Sequence, residues 1–144
     1  MTELAFLVNV ATGFALFGLI WTIQVDVYPL FGFTGERAFA EFHRQHSNRI
    51  TLVVAPLMLA ELASSIALVL APPEWAPAWP FWAGLGLVLA AWGSTAFIQV
   101  PAHGALGAGF DAAVHRRLVA TNWIRTAAWT GRAAILLWLL AGRL

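Results

Sequence analysis

The chain has 144 residues, 60% of them hydrophobic and only 10% charged, a balance that no ordinary soluble domain of this size tolerates and that makes lipid the solvent. Seven acidic residues nearly cancel eight basic ones, all of them arginine, so there is neither a basic field to hold nucleic acid nor an acidic tail. Cysteine is absent, which excludes disulfides, iron–sulfur clusters, thiolate metal sites and cysteine nucleophiles and leaves the redox compartment unreadable.

A spanning helix needs about 20 largely apolar residues. Four stretches supply them, roughly 4–31, 50–70, 80–100 and 118–140, and together they read as one domain. The first follows Met1-Thr2-Glu3-Leu4, which lacks the positive start and small-residue cleavage site of a secretory signal, so it is expected to stay as the first helix. Placed at 100° per residue, this helix aligns Phe17, Trp21, Gln24 and Tyr28 on one face. Asp26 lies opposite Gln24, toward the lipid interface or a neighbouring subunit.

The second helix is expected to begin well before its apolar span, as an amphipathic extension. Phe39, Phe42, His43, His46 and Ile50 share one stripe, while Arg37, Glu41, Arg44 and Asn48 lie opposite. Followed into the membrane, the stripe reaches Leu57 and then Glu61 near mid-bilayer, 18 residues beyond His43. The next connector, residues 71–80, is proline-rich and carries Trp75 and Trp79, with Trp82 just beyond, where interfacial aromatics belong. The third helix aligns Val88, Trp92, Thr95, Gln99 and His103. The fourth also starts early and aligns Asp111, His115, Leu118, Asn122, Thr126, Trp129 and Ala133, with Arg125 and Arg132 at the edge of the stripe. The expected architecture is all-α, an integral membrane four-helix bundle whose helices each add polar groups to a shared interior. Arg37, Arg44, Arg49, Arg116 and Arg117 gather on one face against Arg143 near the other, so the positive-inside rule puts both termini outside the cytoplasm, in a bacterial inner membrane.

An internal echo runs through the chain. Ile23-Gln24-Val25 recurs as Ile98-Gln99-Val100, each followed by a proline, Pro29 and Pro101. Gln24 precedes Asn48 by 24 positions and Gln99 precedes Asn122 by 23, so each half reads as one helical hairpin, and two parallel hairpins give a pseudo-twofold axis along the membrane normal. Chance alignment of apolar sequence is the competing account. If the echo is a true repeat, Gln24 and Gln99 face each other across the axis.

His43 and His46, at i and i+3, can both turn toward one metal, with His103 and either Glu41 or Asp111 completing the shell; imidazole suits zinc, copper or iron, and the histidines also suffice for haem. The competing reading leaves these histidines hydrogen-bonded to water, backbone or lipid phosphate in the headgroup region. Glu61, Arg125 and Arg132 carry a stronger signal, because a charge inside a bilayer costs several kcal/mol unless it is paired or wetted. Helix geometry lets the Arg125 guanidinium reach the Glu61 carboxylate or a bound anion, and a salt bridge that only pins two helices is the structural alternative. Gln24, Gln99 and Asn122 either orient a carbonyl or phenol or satisfy one another. Tyr28, Trp21, Trp92 and Trp129 either pack or line a cavity for a flat lipophilic ligand such as a quinone. No Ser-His-Asp constellation, phosphate loop or zinc-protease helix is present.

Gln99-Val100-Pro101-Ala102-His103-Gly104-Ala105-Leu106 resembles the Asn-Val-Pro-Leu-Asn-x-x-Leu segment of the anthrone oxygenase-like four-helix membrane proteins, a largely uncharacterised family. Asn122-Trp123-Ile124-Arg125-Thr126 resembles the Trp-Asn-x-x-Arg-Thr segment that follows it there, and the first helix is similar in its small-residue run from Gly13 to Pro29. The resemblance spans most of the chain and is sharp over residues 95–133. It implies a helical bundle and the oxidation of anthrones to anthraquinones. Asn122 and Arg125 carry over as the family's polar pair, whereas Gln99 and His103 stand where the family has two asparagines. That replacement, beside His43 and His46, puts a metal-free mechanism in doubt.

The sequence thus leads to a small oxidoreductase or oxygenase-like membrane protein acting on a lipophilic aromatic or quinone-like compound drawn from the bilayer. Gln99, Asn122 and Arg125 hold the substrate oxygen, with Gln24, Tyr28 and Trp129 around it. His103 or His46 moves protons or, with His43, binds a transition metal or haem, and Glu61 balances Arg125. The rival is a non-catalytic carrier working as a homodimer or an accessory subunit of a larger membrane complex.

Overall fold

A computed structural model describes residues 2–143 of the chain, which form four long helices with no strand among them. These are α1 (Thr2–Phe33), α2 (Glu36–Leu70), α3 (Trp79–Leu106) and α4 (Ala112–Ala141). The first three are long and apolar enough to cross a membrane. The fourth is as long, but Asn122, Arg125 and Arg132 interrupt its apolar sequence; all three are buried against the other helices. Outward-facing Leu52, Leu70, Phe97 and Leu137 leave the bundle with an apolar exterior, as a lipid-immersed surface requires.

The helices pack in a ring, α1 against α2 and α4, and α3 against the same two, so the chain runs up, down, up, down as two helical hairpins. α2 does begin early, at Glu36, fourteen residues before Ile50, and its 35 residues exceed what a bilayer core requires. The turn between α3 and α4 passes through Gly109, whose φ of 148° suits glycine alone, and ends on Asp111, whose carboxylate accepts from the backbone N–H groups of Ala113 and Val114. Asp111 is therefore the N-cap of α4. Glu41 is likewise engaged elsewhere, paired with Arg44 on the exposed face of α2, so neither carboxylate completes a histidine shell.

Two wide turns mark the echoed segments. Tyr28 N–H bonds to Ile23 O, and Val100 N–H bonds to Thr95 O, each reaching back five residues instead of four. Both lie immediately before a proline. Pro29 and Pro101 have no N–H to give, and each ring crowds the carbonyl four residues back, so the helix opens by one residue there. The prolines and the wide turns repeat at 72 positions, whereas the glutamines repeat at 75. Gln24 is thus second in its turn and Gln99 last. The two do not bond across an axis; each reaches α4, Gln24 through Asn122 and Gln99 through Thr121.

Candidate functional site

The buried face of α4 repeats polar residues at three- and four-residue spacing, and these build two polar layers at different depths. Nearer the arginine-rich face, the carbonyl of Asn122 accepts from Arg125 Nε at 2.9 Å and Nη2 at 2.6 Å, while its amide donates to Gln24 Oε1 at 2.9 Å. Gln24 also accepts from Thr126 and donates to the Val119 carbonyl. Arg125 Nη2 further donates to the Tyr28 hydroxyl at 3.0 Å. That hydroxyl lies 2.9 Å from His103 Nε2, and His103 Nδ1 lies 2.9 Å from His43 Nε2.

The direction of this chain is assigned from its first member and the hydroxyl next to it. A guanidinium only donates, so Tyr28 receives from Arg125, and its own hydrogen has His103 Nε2 as the acceptor in reach, which is the direction assigned to the chain. His103 then carries its hydrogen on Nδ1 and donates to His43 Nε2, which leaves the His43 hydrogen on Nδ1, a buried atom with no partner. His115 fixes the start of the path by bonding through Nε2 to the Tyr28 backbone carbonyl at 2.8 Å. Phe31 holds the other rings, meeting His43, His46 and His103 edge-on.

Deeper, Arg132 meets Glu61 at 3.8 Å, and its Nη2 donates to Asn9 Oδ1 and Ser65 Oγ. Asn9 in turn donates to Ser64 and Ser65 at 2.9 Å. Glu61 also accepts from the Trp129 indole at 2.9 Å. Gly84 of α3 lies directly against the guanidinium, where any Cβ would collide with it, and a Cβ at Gly13 would strike Leu136. The expected balance of Glu61 with Arg125 is thus corrected: Glu61 pairs with Arg132, one further pair of turns along α4, and Arg125 has neutral partners.

A cavity of about 240 Å³ adjoins the first layer only. Leu16, Ile20, Val54 and Met58 give it an apolar body; Tyr28, Thr95, Gln99, His103 and Arg125 give it a polar end. Trp129 also lines it, so this residue divides the two layers, ring toward the cavity and N–H toward Glu61. Of the lining residues, Thr51 on α2 and Val100 on α3 are exposed, which puts the mouth between those helices and open to lipid. Gln99 Oε1 and Trp92 Nε1, on two lining residues, have no hydrogen-bond partner.

Of the residues expected at the site, Tyr28, Gln99, His103, Arg125 and Trp129 therefore share the cavity wall, joined by His46 and Trp92. Gln24 and Asn122 stand behind Arg125 and position it, and Glu61 lies beyond Trp129. Trp21 faces elsewhere, donating to Thr130 and packing on Trp123. Asp26 is exposed on the far side of α1, as its position opposite Gln24 requires. Among the described residues, no three histidine or carboxylate side chains converge as a metal shell needs: His43 and His103 bond to each other, and the His46 ring stacks over Phe42 and abuts Phe31. The network of Asn9, Ser64 and Ser65 was not foreseen, although these are polar residues within largely apolar stretches of α1 and α2. No protein-family model matches the chain, and neither does any curated relative or solved structure.

Proposed function

We propose that this membrane protein is an oxidoreductase, oxygenase-like in its chemistry, whose substrate is a flat lipophilic aromatic or quinone-like compound entering from the bilayer between α2 and α3. The observation that carries the reading is the cavity itself: an apolar chamber open to lipid, ending on a guanidinium, a tyrosine hydroxyl and an imidazole that are already joined in one hydrogen-bonded chain. The resemblance of residues 95–133 to the anthrone oxygenase-like proteins favours the same class.

In this reading Arg125 and Gln99 hold the oxygen the substrate already bears. Tyr28 takes up a proton from the substrate as its own passes to His103, and His103 hands one on to His43. With an anthrone the balance is complete: the ring methylene loses both hydrogens, one atom of dioxygen becomes the new carbonyl, and the other leaves as water. Asn122 and Gln24 keep the guanidinium in place, and Glu61 serves the packing of the bundle. Both termini are assigned to the outside of a bacterial inner membrane, on the arginine distribution; a cytoplasmic signal from a reporter fused to either end would reverse that assignment.

The test is anthrone oxidation by purified protein in neutral-lipid nanodiscs, followed by anthraquinone absorbance and oxygen uptake. Turnover that Arg125→Gln and His103→Gln abolish supports the reading. A protein that neither turns over nor retains any lipophilic compound through purification fits an accessory subunit instead. Near-stoichiometric iron, copper or zinc, lost in His43→Ala and His103→Ala, would replace the proton path with a metal centre.

A further inference from the structure

The two buried arginines of α4 are treated differently by the rest of the molecule. Arg132 has a carboxylate, Glu61. Arg125 is also buried, with 6% of its surface exposed, yet none of the three ion pairs among the described residues includes it. Its partners are an amide carbonyl, a phenol hydroxyl and, through Nη1, a single long contact of 3.5 Å to Thr95 Oγ1. A guanidinium has five N–H donors, so Nη1 retains unspent hydrogen-bonding capacity beside the cavity that Arg125 lines. A cation removed from water without a counter-charge is among the least tolerable groups in a membrane interior.

We infer that the polar end of the cavity is an oxyanion site, with Arg125 as its fixed counter-charge and Tyr28 and Thr95 beside it, and that the natural ligand binds as a lipophilic anion: an aromatic phenolate or enolate, or a long-chain carboxylate. Asn122 contributes by spending its carbonyl on Nε and Nη2, which orients the guanidinium and leaves Nη1 on the free side. The apolar body of the cavity takes the rest of the ligand, and the mouth between Thr51 and Val100 admits it from the lipid. This inference rests on the cavity being a ligand site and holds whether or not the ligand is then oxidised.

The experiment uses wild-type protein in phosphatidylcholine nanodiscs and two matched pairs of probes, with binding followed by tryptophan fluorescence. One pair is a hydroxyanthraquinone dye, whose colour reports ionisation, and its methyl ether; the other is dodecanoate and dodecanol. Wild type is expected to bind at least one anion about 10-fold or more tightly than its neutral partner. If the dye is that anion, it is expected to turn its ionised colour at a pH where free dye is neutral, which needs no variant. Preference within the dye pair identifies an aromatic oxyanion, and preference within the dodecanoate pair identifies a fatty acid. Arg125→Gln should erase the discrimination and Arg125→Lys should keep most of it. Equal affinity for anion and neutral partner in both pairs, or discrimination that survives in Arg125→Gln, overturns the oxyanion site while leaving a ligand cavity. Failure of all four probes to bind overturns the cavity reading and this inference with it.

Discussion

Arg125 and Arg132 lie seven residues apart on one face of α4, about two helical turns, and both are sealed from solvent. Around Arg132 the protein supplies a counter-charge: the Glu61 carboxylate at 3.8 Å, with an amide from α1 and the Ser65 hydroxyl from α2 on Nη2 and a glycine on α3 that makes room for the head group. Around Arg125 it supplies orientation without charge, and leaves a chamber alongside. A buried charge that its own fold neutralises belongs to the scaffold, whereas one that its fold aims without a counter-charge is what the proposed oxyanion site requires. Trp129 marks the boundary, with its ring on the chamber side and its N–H on the scaffold side.

The comparison breaks most visibly if the scaffold layer loses its counter-charge. Glu61→Gln strands Arg132 in the bundle, and removal of one member of a buried pair costs about 3–5 kcal/mol; thermal unfolding in mild detergent should show a drop in apparent Tm far larger than Arg125→Gln produces. The double replacement Glu61→Leu with Arg132→Leu should recover much of that loss, because no charge is then left unpaired. Equal damage from Glu61→Gln and Arg125→Gln would sink the distinction between the layers. Gly84→Ala comes next. Its methyl group would overlap the Arg132 guanidinium, and displacement of that buried head group should cost about 1–3 kcal/mol on the same unfolding scale, with ligand affinity unchanged.

Much of the first layer was legible in the sequence because it depends on angles within single helices. The stripe through Asn122, Thr126 and Trp129 follows from 100° per residue and is buried, and so are Phe39, His43 and Glu61 of the stripe on α2, although Phe42 at its edge is exposed. What could not be read was which arginine meets Glu61. That choice depends on how far α2 slides along α4, and a slide of one turn moves Glu61 from one guanidinium toward the other without altering either helical face. The three-position slip between the glutamine echo and the proline echo has a similar origin: the wide turn begins where a proline dictates, so equal residues near it take unequal places. Asp111 was open to a better reading. An aspartate just after a glycine-containing turn and just before a helix is a capping signal, and it competes directly with any role as a metal ligand.

Tyr28→Phe sharpens the comparison on the side of the first layer. It removes the one hydroxyl shared by Arg125 and His103 while keeping the ring against Phe31. Loss of two buried hydrogen bonds should lower stability by about 1–2 kcal/mol. Nitrogen-15 spectra of histidine-labelled protein should meanwhile show His103 released from a single Nδ1–H tautomer into a mixture. A wild-type spectrum with the hydrogen on His103 Nε2 would reverse the direction assigned to the chain.

The smallest effect on stability is expected at the mouth of the chamber. Thr51 is exposed on α2, and its hydroxyl bonds only to the carbonyl of Ser47, one turn back on its own helix, so nothing in the packing of the bundle depends on it. Thr51→Trp places an indole where α2 faces Val100, in a lipid-exposed position that an apolar ring occupies readily. Apparent Tm should stay within the range of ordinary surface replacements, about 0.5 kcal/mol in stability terms. Association of any probe that binds wild type should nevertheless slow, measured by stopped-flow mixing of nanodiscs with the probe. Because an obstructed entrance is also an obstructed exit, dissociation should slow with it and the equilibrium affinity should change far less than either rate. Unchanged rates in Thr51→Trp would mean that ligands reach Arg125 by another path, along the histidines from the arginine-rich face, and the lateral mouth would then be a feature of packing alone.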